Sequence, residues 1–334
     1  MGRHELIPLD EPHRWAAALS EVAHGHAHTW GFCRAVQLTS GLPTYLYRYE
    51  RRTARVVCAL VERDFAGRVD VATPYGLGGF AMSGDCTRFP EDWTAFACSR
   101  GWVCGYIALN PVFGDARGFP RAEVYVHNRV YVMDLRGPEQ ELRARLSQNR
   151  RRQLRDWPTV AARLHHGRRE LTGFLLDTYA DFFTRRGAGG ATDFAPETMA
   201  AIAALDDVVI VGAEDQELES VAVFGYTRHG GDYLFNVSVP GGERHAVHLI
   251  WWAVQRLRAL GVETLNLGGG VREDDDLAEF KRRFGAAKLP LASLRQIYRD
   301  EVYEELCRTA GVTSARSGWF PPYRAGGAAP RPAS

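Results

Sequence analysis

The chain has 334 residues, enough for two domains of ordinary size, and its composition, 46% hydrophobic and 24% charged, is typical of a globular protein. Its 41 basic and 40 acidic residues leave a formal net charge of +1, which argues against general binding of polyanions but allows a local basic patch. No apolar run approaches the roughly 20 residues that span a bilayer, the N-terminus resembles no signal segment, and the six cysteines form no CxxC pair. We therefore expect a cytoplasmic protein with reduced thiols.

The first half of the sequence predicts two helices, a group of strands, a helix and two more strands. The helices are expected at 12–24 and 30–40, and the strands at 45–50, 54–63 and 68–74. A helix in FPEDWTAFACSRG precedes strands at 103–109 and 122–135.

The second half opens with a predicted long helix from Pro138 to Trp157, which Pro158 ends. Helices follow at 171–186 and 196–205, strands at 208–214, 220–228 and 232–239, a helix at 246–260 and a strand at 263–269. Because both halves run strands, helix, strand, we predict two related α/β domains, 1–136 and 137–320, with the last helix able to pack back on the first. The tail 325–334 is predicted to be disordered.

A glycine-rich stretch, LNLGGGVREDDDLAEFKRRFG (265–285), suggests a nucleotide-binding loop at first sight. It matches neither GxxxxGK[ST] nor GxGxxG, because Glu273 stands where the third glycine belongs. The carboxylates of residues 274–276 satisfy the positive end of the following helix and repel a phosphate. The sequence therefore favours a tight glycine turn before a capped helix over a phosphate-binding loop.

The helix after this turn carries one of only two lysines in the chain, Lys281 and Lys288. At about 100° per residue, its predicted inward face comprises Leu277, Phe280, Lys281 and Phe284. Its outward face comprises Glu279, Arg282 and Arg283. A lysine on an apolar stripe either extends its ammonium to solvent or directs it into a cleft. The scarcity of lysine favours the cleft.

Four stretches carry a family resemblance. They are a strand ending in LGG before LxxFKxxFG, TPYGLGG (73–79), HTWGFCR (28–34) and the basic ELRARLSQNRRRQLR (141–155). Together they resemble the Fem-type aminoacyltransferases, over most of residues 20–290. The resemblance implies an α/β fold of two GNAT-like (N-acetyltransferase-like) domains, each a mixed central sheet flanked by helices.

The resemblance also implies a reaction and its residues. Fem-type enzymes transfer an aminoacyl group from aminoacyl-tRNA to an amine, forming a peptide bond, with the tRNA as co-substrate and no further cofactor. Because the ester is already activated, positioning and charge stabilisation supply most of the catalysis. By resemblance, Lys281 stabilises the oxyanion and Phe280 shapes the pocket. The acceptor-binding positions are Trp30, Arg34 and Tyr75, with Arg34 in place of the family's usual lysine.

Arginines of the predicted helix 138–157 form either a solvated face or a patch for the tRNA backbone. The predicted tRNA contacts are Arg151, Arg152, Arg155 and Arg185, and the pairs 168–169 and 185–186 extend them. Arg150, at the edge of the inward face, is expected to reach the cleft. Asn236, at a strand end, and Tyr233, next to Asp232 at a hairpin, are further candidates for substrate binding.

Three alternatives are less favoured. The alternating histidines of HGHAH (24–28) are able to ligate zinc, but no acidic or cysteine partner lies nearby, so we expect a surface loop and no metal site. Acyl-CoA-dependent N-acylation needs small residues in a [QR]xxGx[GA] loop, where GGERHAVHLI has Val247 and Leu249. A binding protein without activity would leave Lys281 without a purpose.

The acceptor is left open between two classes. It is either a peptidoglycan precursor or a peptide-like natural-product intermediate, both of which present an amine. Arg34 in place of lysine, together with the arginine-rich composition, favours the natural-product intermediate.

Overall fold

The computed structural model describes residues 2–114, 116–185, 194–270, 272–316 and 318–325. The strands within these ranges are β1 (Arg3–Pro8), β2 (Thr44–Arg51), β3 (Ala54–Phe65), β4 (Arg68–Ala72), β5 (Ala81–Ser83), β6 (Cys104–Ala108), β7 (Val124–Asp134), β8 (Val208–Glu214), β9 (Leu218–Tyr226), β10 (Gly231–Ser238), β11 (Thr264–Gly269) and β12 (Ala287–Ile297). The predicted disordered tail, except Ala325, and Arg186 lie outside the described residues.

The α-helices of the same ranges are α1 (Pro12–Leu19), α2 (Trp30–Ser40), α3 (Phe89–Ser99), α4 (Glu139–Arg145), α5 (Gln148–Gln153), α6 (Trp157–Ala161), α7 (Arg168–Arg185), α8 (Pro196–Ala204), α9 (Ala246–Ala259), α10 (Asp276–Arg282) and α11 (Asp300–Thr309). None of these described helices is both long and apolar enough to cross a lipid bilayer.

The chain forms two compact units. The first comprises the residues up to His127 together with those from Leu291 onward, and the second comprises Asn128–Pro290. The first unit therefore takes its residues from both ends of the chain, including α11. The predicted domain limits, 1–136 and 137–320, stay a prediction.

The first unit has a mixed sheet. Strands β1 to β4 pair antiparallel in chain order, β4 pairs parallel with β6, and β6 pairs antiparallel with residues 293–297 of β12. Strand β3 is buried along most of its length, and its run of valine, alanine and leucine suits the pleated interior of a sheet. The short β5 pairs with its first residues.

Aromatic side chains form most of the core of the first unit. Phe80 and Trp93 lie 4.9 Å apart, centroid to centroid, within a larger buried cluster. The Trp93 Nε1 donates a 2.8 Å hydrogen bond to Gln296, which fixes α3 to β12. The buried carboxylate of Asp70 accepts 2.6 Å bonds from Arg63 and Arg324. These contacts explain why the C-terminal segment belongs to this unit.

The strands of the second unit also pair in mixed directions. Strands β8, β9 and β10 pair antiparallel, β10 pairs parallel with β11, and β11 pairs antiparallel with residues 130–134 of β7. The parallel pairing comprises only Gly231–Leu265 and Asp232–Asn266. The register then shifts on both strands, between Tyr233 and Phe235 and between Asn266 and Gly269. The two strands therefore separate where β11 approaches its glycine end.

Helix α9 forms the centre of the core in the second unit. Its apolar face, with Leu249, Ile250 and Val254, is fully buried against residues of the sheet. Both units thus combine strands of mixed direction with helices packed on them, which confirms the predicted α/β fold class.

The predicted single helix from Pro138 to Trp157 is wrong. The segment forms α4, α5 and α6, because Leu146 is extended (φ −62°, ψ 145°) and the Ser147 side chain caps a new helix by accepting from the Arg150 N–H. Pro158 lies in the first turn of α6 and does not end the preceding helix. A serine within a periodic pattern was the signal for this break.

Candidate active site

The glycine-rich stretch forms the turn between β11 and α10. Asp275 caps the helix: its Oδ1 accepts a 2.8 Å bond from the Ala278 N–H, and its Oδ2 accepts a 2.9 Å bond from the Arg272 N–H. A Cβ at Gly270 would stand 2.2 Å from the Asp275 Oδ1. A carboxylate therefore takes the place that a phosphate would need, which confirms the predicted turn into a capped helix.

Lys281 lies on the inward face of α10. Its side chain is 7% exposed, and its Nζ donates a 2.5 Å hydrogen bond to the carbonyl oxygen of Gly269, at the end of β11. Gly268 has a φ of +73°, and a Cβ there would lie 3.3 Å from the same Nζ. The left-handed backbone and the missing side chain together make room for the ammonium.

The inward face differs from its prediction at one position. Ala278, Lys281 and Phe284 are buried as a helical stripe, and Phe280 is partly buried. Leu277, predicted to lie on this face, is 42% exposed. It lies in the first turn of α10, so it shares the side of Lys281 without being covered by the core.

Burial lowers the pKa of Lys281 to about 8, and the charge of Asp275 opposes this shift. Removing an ammonium from water disfavours its charged form. At neutral pH the side chain is still mostly protonated, so it presents a desolvated positive charge. Such a charge interacts with a developing anion more strongly than one in water does.

A polar chain links the separating strands to the site of Lys281. Asn266 is buried on β11, and its Nδ2 donates a 3.0 Å bond to Asp232 on β10. The Asn266 Oδ1 accepts a 2.9 Å bond from the Gly268 N–H. The amide thereby fixes the backbone at the glycine that makes room for the lysine.

A second buried cation packs beneath α10. Arg150 is 4% exposed, and its guanidinium carbon lies 4.3 Å from the ring centroid of Phe280 and 5.0 Å from that of Phe284. Its Nη2 donates to the Phe280 carbonyl (3.2 Å) and its Nη1 to Gln153 (2.7 Å). Burial, followed by the charge of Arg283, lowers the pKa of Arg150 to about 10. These contacts orient α10. The predicted role of Arg150 in substrate binding stays a prediction.

Three predicted acceptor-binding residues lie in the first unit. Arg34 is exposed on α2 and donates to Gln37, and the Trp30 Nε1 donates a 2.7 Å bond to the carbonyl of Leu9. Tyr75 is partly buried in the loop after β4. That loop lies against the start of the α2 region, since a Cβ at Gly76 would approach Ala27 to 3.0 Å. The structure thus brings the loop and the segment before α2 together.

The loop is held in place by contacts with Asn110 and Ala108, which belong to none of the motifs in the sequence. The Asn110 Nδ2 donates a 2.8 Å bond to the Leu77 carbonyl, and the Thr73 hydroxyl accepts a 3.0 Å bond from the Ala108 N–H. Gly79, with a φ of +28°, leaves no space for a side chain, because a Cβ would stand 2.8 Å from the Asn110 nitrogen. The sequence signal for these contacts was a polar residue, Asn110, directly after a buried strand.

The expected surface loop at HGHAH is wrong. His26 and His28 are buried within a short 3-10 helix. The His28 Nε2 lies 3.1 Å from the Gly79 carbonyl oxygen, and burial lowers its pKa to about 4. A neutral imidazole whose N–H bonds to a backbone carbonyl has its hydrogen-bonding requirement met within the core. No group of three metal-ligating side chains occurs among the described residues.

The other two candidates for substrate binding lie on β10. Tyr233 stacks on the buried Phe224, with ring centroids 4.9 Å apart, and packs against the core. The Asn236 Nδ2 donates a 3.4 Å bond to the Ser220 hydroxyl on β9. Both roles stay predictions, although these contacts are those of core and sheet residues.

The predicted tRNA-binding arginines are exposed on the second unit. Arg151 donates to the carbonyls of Ala144 and Leu146, and Arg152 donates to Asn149. Arg185, at the end of α7, donates to the carbonyl of Ser238. Arg155 is exposed next to them in sequence. Their surface position is compatible with contacts to a phosphate backbone, which stay a prediction.

Each of the two units contains one parallel pair of strands, β4–β6 in the first and β10–β11 in the second. No protein-family model and no curated protein sequence match the chain. Solved structures do. The chain is similar to the crystal structure of FemX, with a TM-score of 0.64 and 10% identity over 91% of this chain and 99% of that one.

Two further structures share this fold. One is the C-terminal domain of a putative lysylphosphatidylglycerol synthetase from Agrobacterium fabrum, with a TM-score of 0.54 and 14% identity over 93% of this chain and 98% of that one. The other is L-PGS from Bacillus licheniformis, with a TM-score of 0.53 and 12% identity over 86% and 92%. At these identities, the resemblance to Fem-type proteins is confirmed as a resemblance of fold.

Proposed function

We propose that the protein is an acyltransferase that moves an aminoacyl group from aminoacyl-tRNA to the amine of a peptide-like acceptor. The observation that carries the proposal is the desolvated ammonium of Lys281, held on Gly269 at the end of β11. The fold that the chain shares with FemX supports the same class of reaction. So does its similarity to a second structure, which is named as a putative synthetase of a lysyl compound.

For this reaction, a positive charge beside the oxyanion is more important than a general base. The neutral amine attacks the ester carbonyl of the aminoacyl-tRNA, and its nitrogen forms the new bond while the carbonyl oxygen becomes an oxyanion. Collapse of this intermediate releases the ribose hydroxyl of the tRNA, which takes up the proton that the amine loses. The Lys281 ammonium stabilises the oxyanion, and Phe280 limits the space beside it.

An acyl-CoA donor is less compatible with the loop before α9. The carboxylate of Glu219 accepts a 2.6 Å bond from Arg244 and lies 2.7 Å from the His245 Nε2, directly before the helix. Val247 is buried where a small residue would let a pyrophosphate approach the backbone. The ion pair with Glu219 also engages Arg244, the arginine that an acyl-CoA loop at this position would use.

The acceptor is proposed to carry an amine and an anionic group. Arg34 is exposed on α2 and adjoins the segment that packs on the Tyr75 loop. A guanidinium at this position recognises a carboxylate or phosphate in a bidentate manner. A peptide-like natural-product intermediate and a peptidoglycan precursor both fit that description.

The proposal is tested by the choice of donor. The protein is incubated with a pool of tRNA charged with labelled amino acids and with candidate amine acceptors, and separately with labelled acetyl-CoA. We expect label from the charged tRNA in a product that survives mild base, which cleaves esters but not amides. Turnover with acetyl-CoA and none with any charged tRNA would contradict the proposal.

A further inference from the structure

A surface groove in the second unit has no part in the site around Lys281. Its volume is about 430 Å³. Its lining consists of His166, Arg168, Val209, Ile210, Trp252 and Arg256. We call it the His166–Trp252 groove.

The groove is formed by the edge of the sheet and one face of α9. The backbone of His165 exchanges hydrogen bonds of 2.9 and 3.0 Å with Gly212 of β8, which holds the chain before α7 along that edge. The next residue, His166, then stacks on Trp252 with ring centroids 5.3 Å apart and an interplanar angle of 28°. Arg256 follows Trp252 by one helical turn and therefore shares its face.

The charge of the groove is positive. Arg168 donates to the carbonyls of Ala203, Leu205 and Val208, so its guanidinium is fixed in place by neutral groups. Arg256 is exposed, and no described carboxylate forms an ion pair with it. None of the described residues that line the groove is acidic. Partial burial, followed by the neighbouring His165, lowers the pKa of His166, which favours the neutral form of its ring.

A planar aromatic group with a phosphate fits this lining. Nucleobases stack on indole and imidazole rings, and guanidinium groups bind phosphate in a bidentate manner. The groove is open at the surface, as a polymer requires. The same helix α9 also contacts the basic α5, where the His248 Nε2 lies 3.2 Å from the Gln153 carbonyl oxygen. Helix α5 carries two exposed arginines, Arg151 and Arg152.

We propose that the His166–Trp252 groove binds an unpaired nucleotide of RNA, its base against the aromatic pair and its phosphate between Arg168 and Arg256. In the enzyme this RNA is the tRNA of the donor, an assignment that rests on the proposed function. A free nucleotide has the same chemistry and is separated from RNA by experiment.

Binding is measured directly, without turnover, by fluorescence anisotropy of a labelled, uncharged tRNA transcript at several salt concentrations. Arg256→Ala and Trp252→Ala are each expected to weaken binding about tenfold. Arg256→Ala is also expected to lower the salt slope by about one. Arg308→Ala removes an exposed arginine from α11, in the other unit, and serves as the matched control, with affinity unchanged.

Because Trp252 also packs on the core, its replacement by alanine is able to disturb the fold, and a second variant is needed that does not. Trp252→Phe keeps a ring, and we expect it to abolish the tRNA-dependent quenching of tryptophan fluorescence. Unchanged affinity in Arg256→Ala and in Trp252→Ala overturns the proposal. If AMP or coenzyme A quenches the tryptophan fluorescence at a lower concentration than the tRNA transcript does, the proposal is also overturned, in favour of a free nucleotide.

The outcome is distinguishable from that of the proposed function. If the variants lose tRNA affinity but no charged tRNA supports transfer, the groove stands and the aminoacyltransferase proposal falls. If transfer occurs and Arg256→Ala leaves the KM for charged tRNA unchanged, the groove proposal falls alone. If the groove binds the tRNA as proposed, Arg256→Ala raises the KM for charged tRNA about tenfold and leaves kcat unchanged.

Discussion

The ammonium of Lys281 lies 2.5 Å from the carbonyl oxygen of Gly269, in the region where β10 and β11 separate. A helix supplies the cation and a strand end supplies its acceptor. The contact is possible because Gly268 adopts a left-handed backbone and has no side chain. The consequences of this contact for ionisation, stability and rate are each measurable.

The ionisation of Lys281 is predicted to be shifted downward. Only two lysines and the N-terminus supply primary amines, so reductive methylation with a ¹³C label gives three NMR signals. We expect one lysine to titrate near pH 8, because of burial, and Lys288, whose pKa its hydrogen bond to Asp274 raises, above its ordinary range. Lys288→Met assigns the signals. Two lysines that both titrate near 10.5 would show that Lys281 is solvated.

Replacing Lys281 is predicted to stabilise the fold. A lysine whose pKa falls from 10.5 to about 8 on folding costs up to about 3 kcal/mol at pH 7. Between pH 8 and 10.5 the unfolded chain binds more protons than the folded one, so the wild type recovers stability as pH rises. In urea unfolding, Lys281→Met is therefore expected to be more stable than wild type at pH 7, with a smaller difference at pH 10. A difference that does not change with pH contradicts the shifted pKa.

The amide of Asn266 is predicted to be a positioning group. Asn266→Asp places a second carboxylate beside Asp232 and removes the 3.0 Å donor, so we expect transfer to slow about tenfold. Adding Asp232→Asn restores a donor and an acceptor in reversed order, and the double variant should recover most of the rate. The measurement is kcat for the single and the double variant, compared with the wild type. Equal loss in the single and double variants would indicate that the pair has no such role.

Arg150 is predicted to tolerate loss of its charge better than loss of its volume. Its guanidinium is buried against Phe280 and Phe284 without an ion pair to a described carboxylate. Arg150→Met is expected to change the free energy of unfolding by no more than about 1 kcal/mol, whereas Arg150→Ala leaves a cavity that costs roughly 2–4 kcal/mol. Arg151→Ala, at an exposed position, is the control. A larger loss in the methionine variant than in the alanine variant would contradict this packing role.

The sequence predicted most helices and strands, because their apolar periodicity is strong. It missed β1, β5 and β12, since short strands and a strand with an internal proline, Pro290, give weak local signals. The sequence allowed the last helix to pack back on the first domain, but a linear pattern does not show which contacts place the C-terminal segment in the first unit. That arrangement depends on contacts such as those of Asp70 with Arg324, 254 residues apart.

The candidate site was only partly predictable. Lys281 was found from its place on a helical stripe and its rarity, and the aspartates were found from capping preferences. Asn266 was missed because a polar residue in a buried strand has no fixed partner in sequence. Arg150 was expected at a cleft, yet it packs on two phenylalanines, since a helix face does not specify what covers it.

The most direct measurement is the rate of aminoacyl transfer from charged tRNA by Lys281→Met, compared with Lys288→Met, which removes the other lysine of the chain. We predict that kcat falls about 10²- to 10³-fold in Lys281→Met, as on removal of an oxyanion donor, with KM little changed and the fold retained. Lys288→Met should retain the wild-type rate. Transfer by a folded Lys281→Met at nearly the wild-type kcat would contradict the role of the buried ammonium in catalysis.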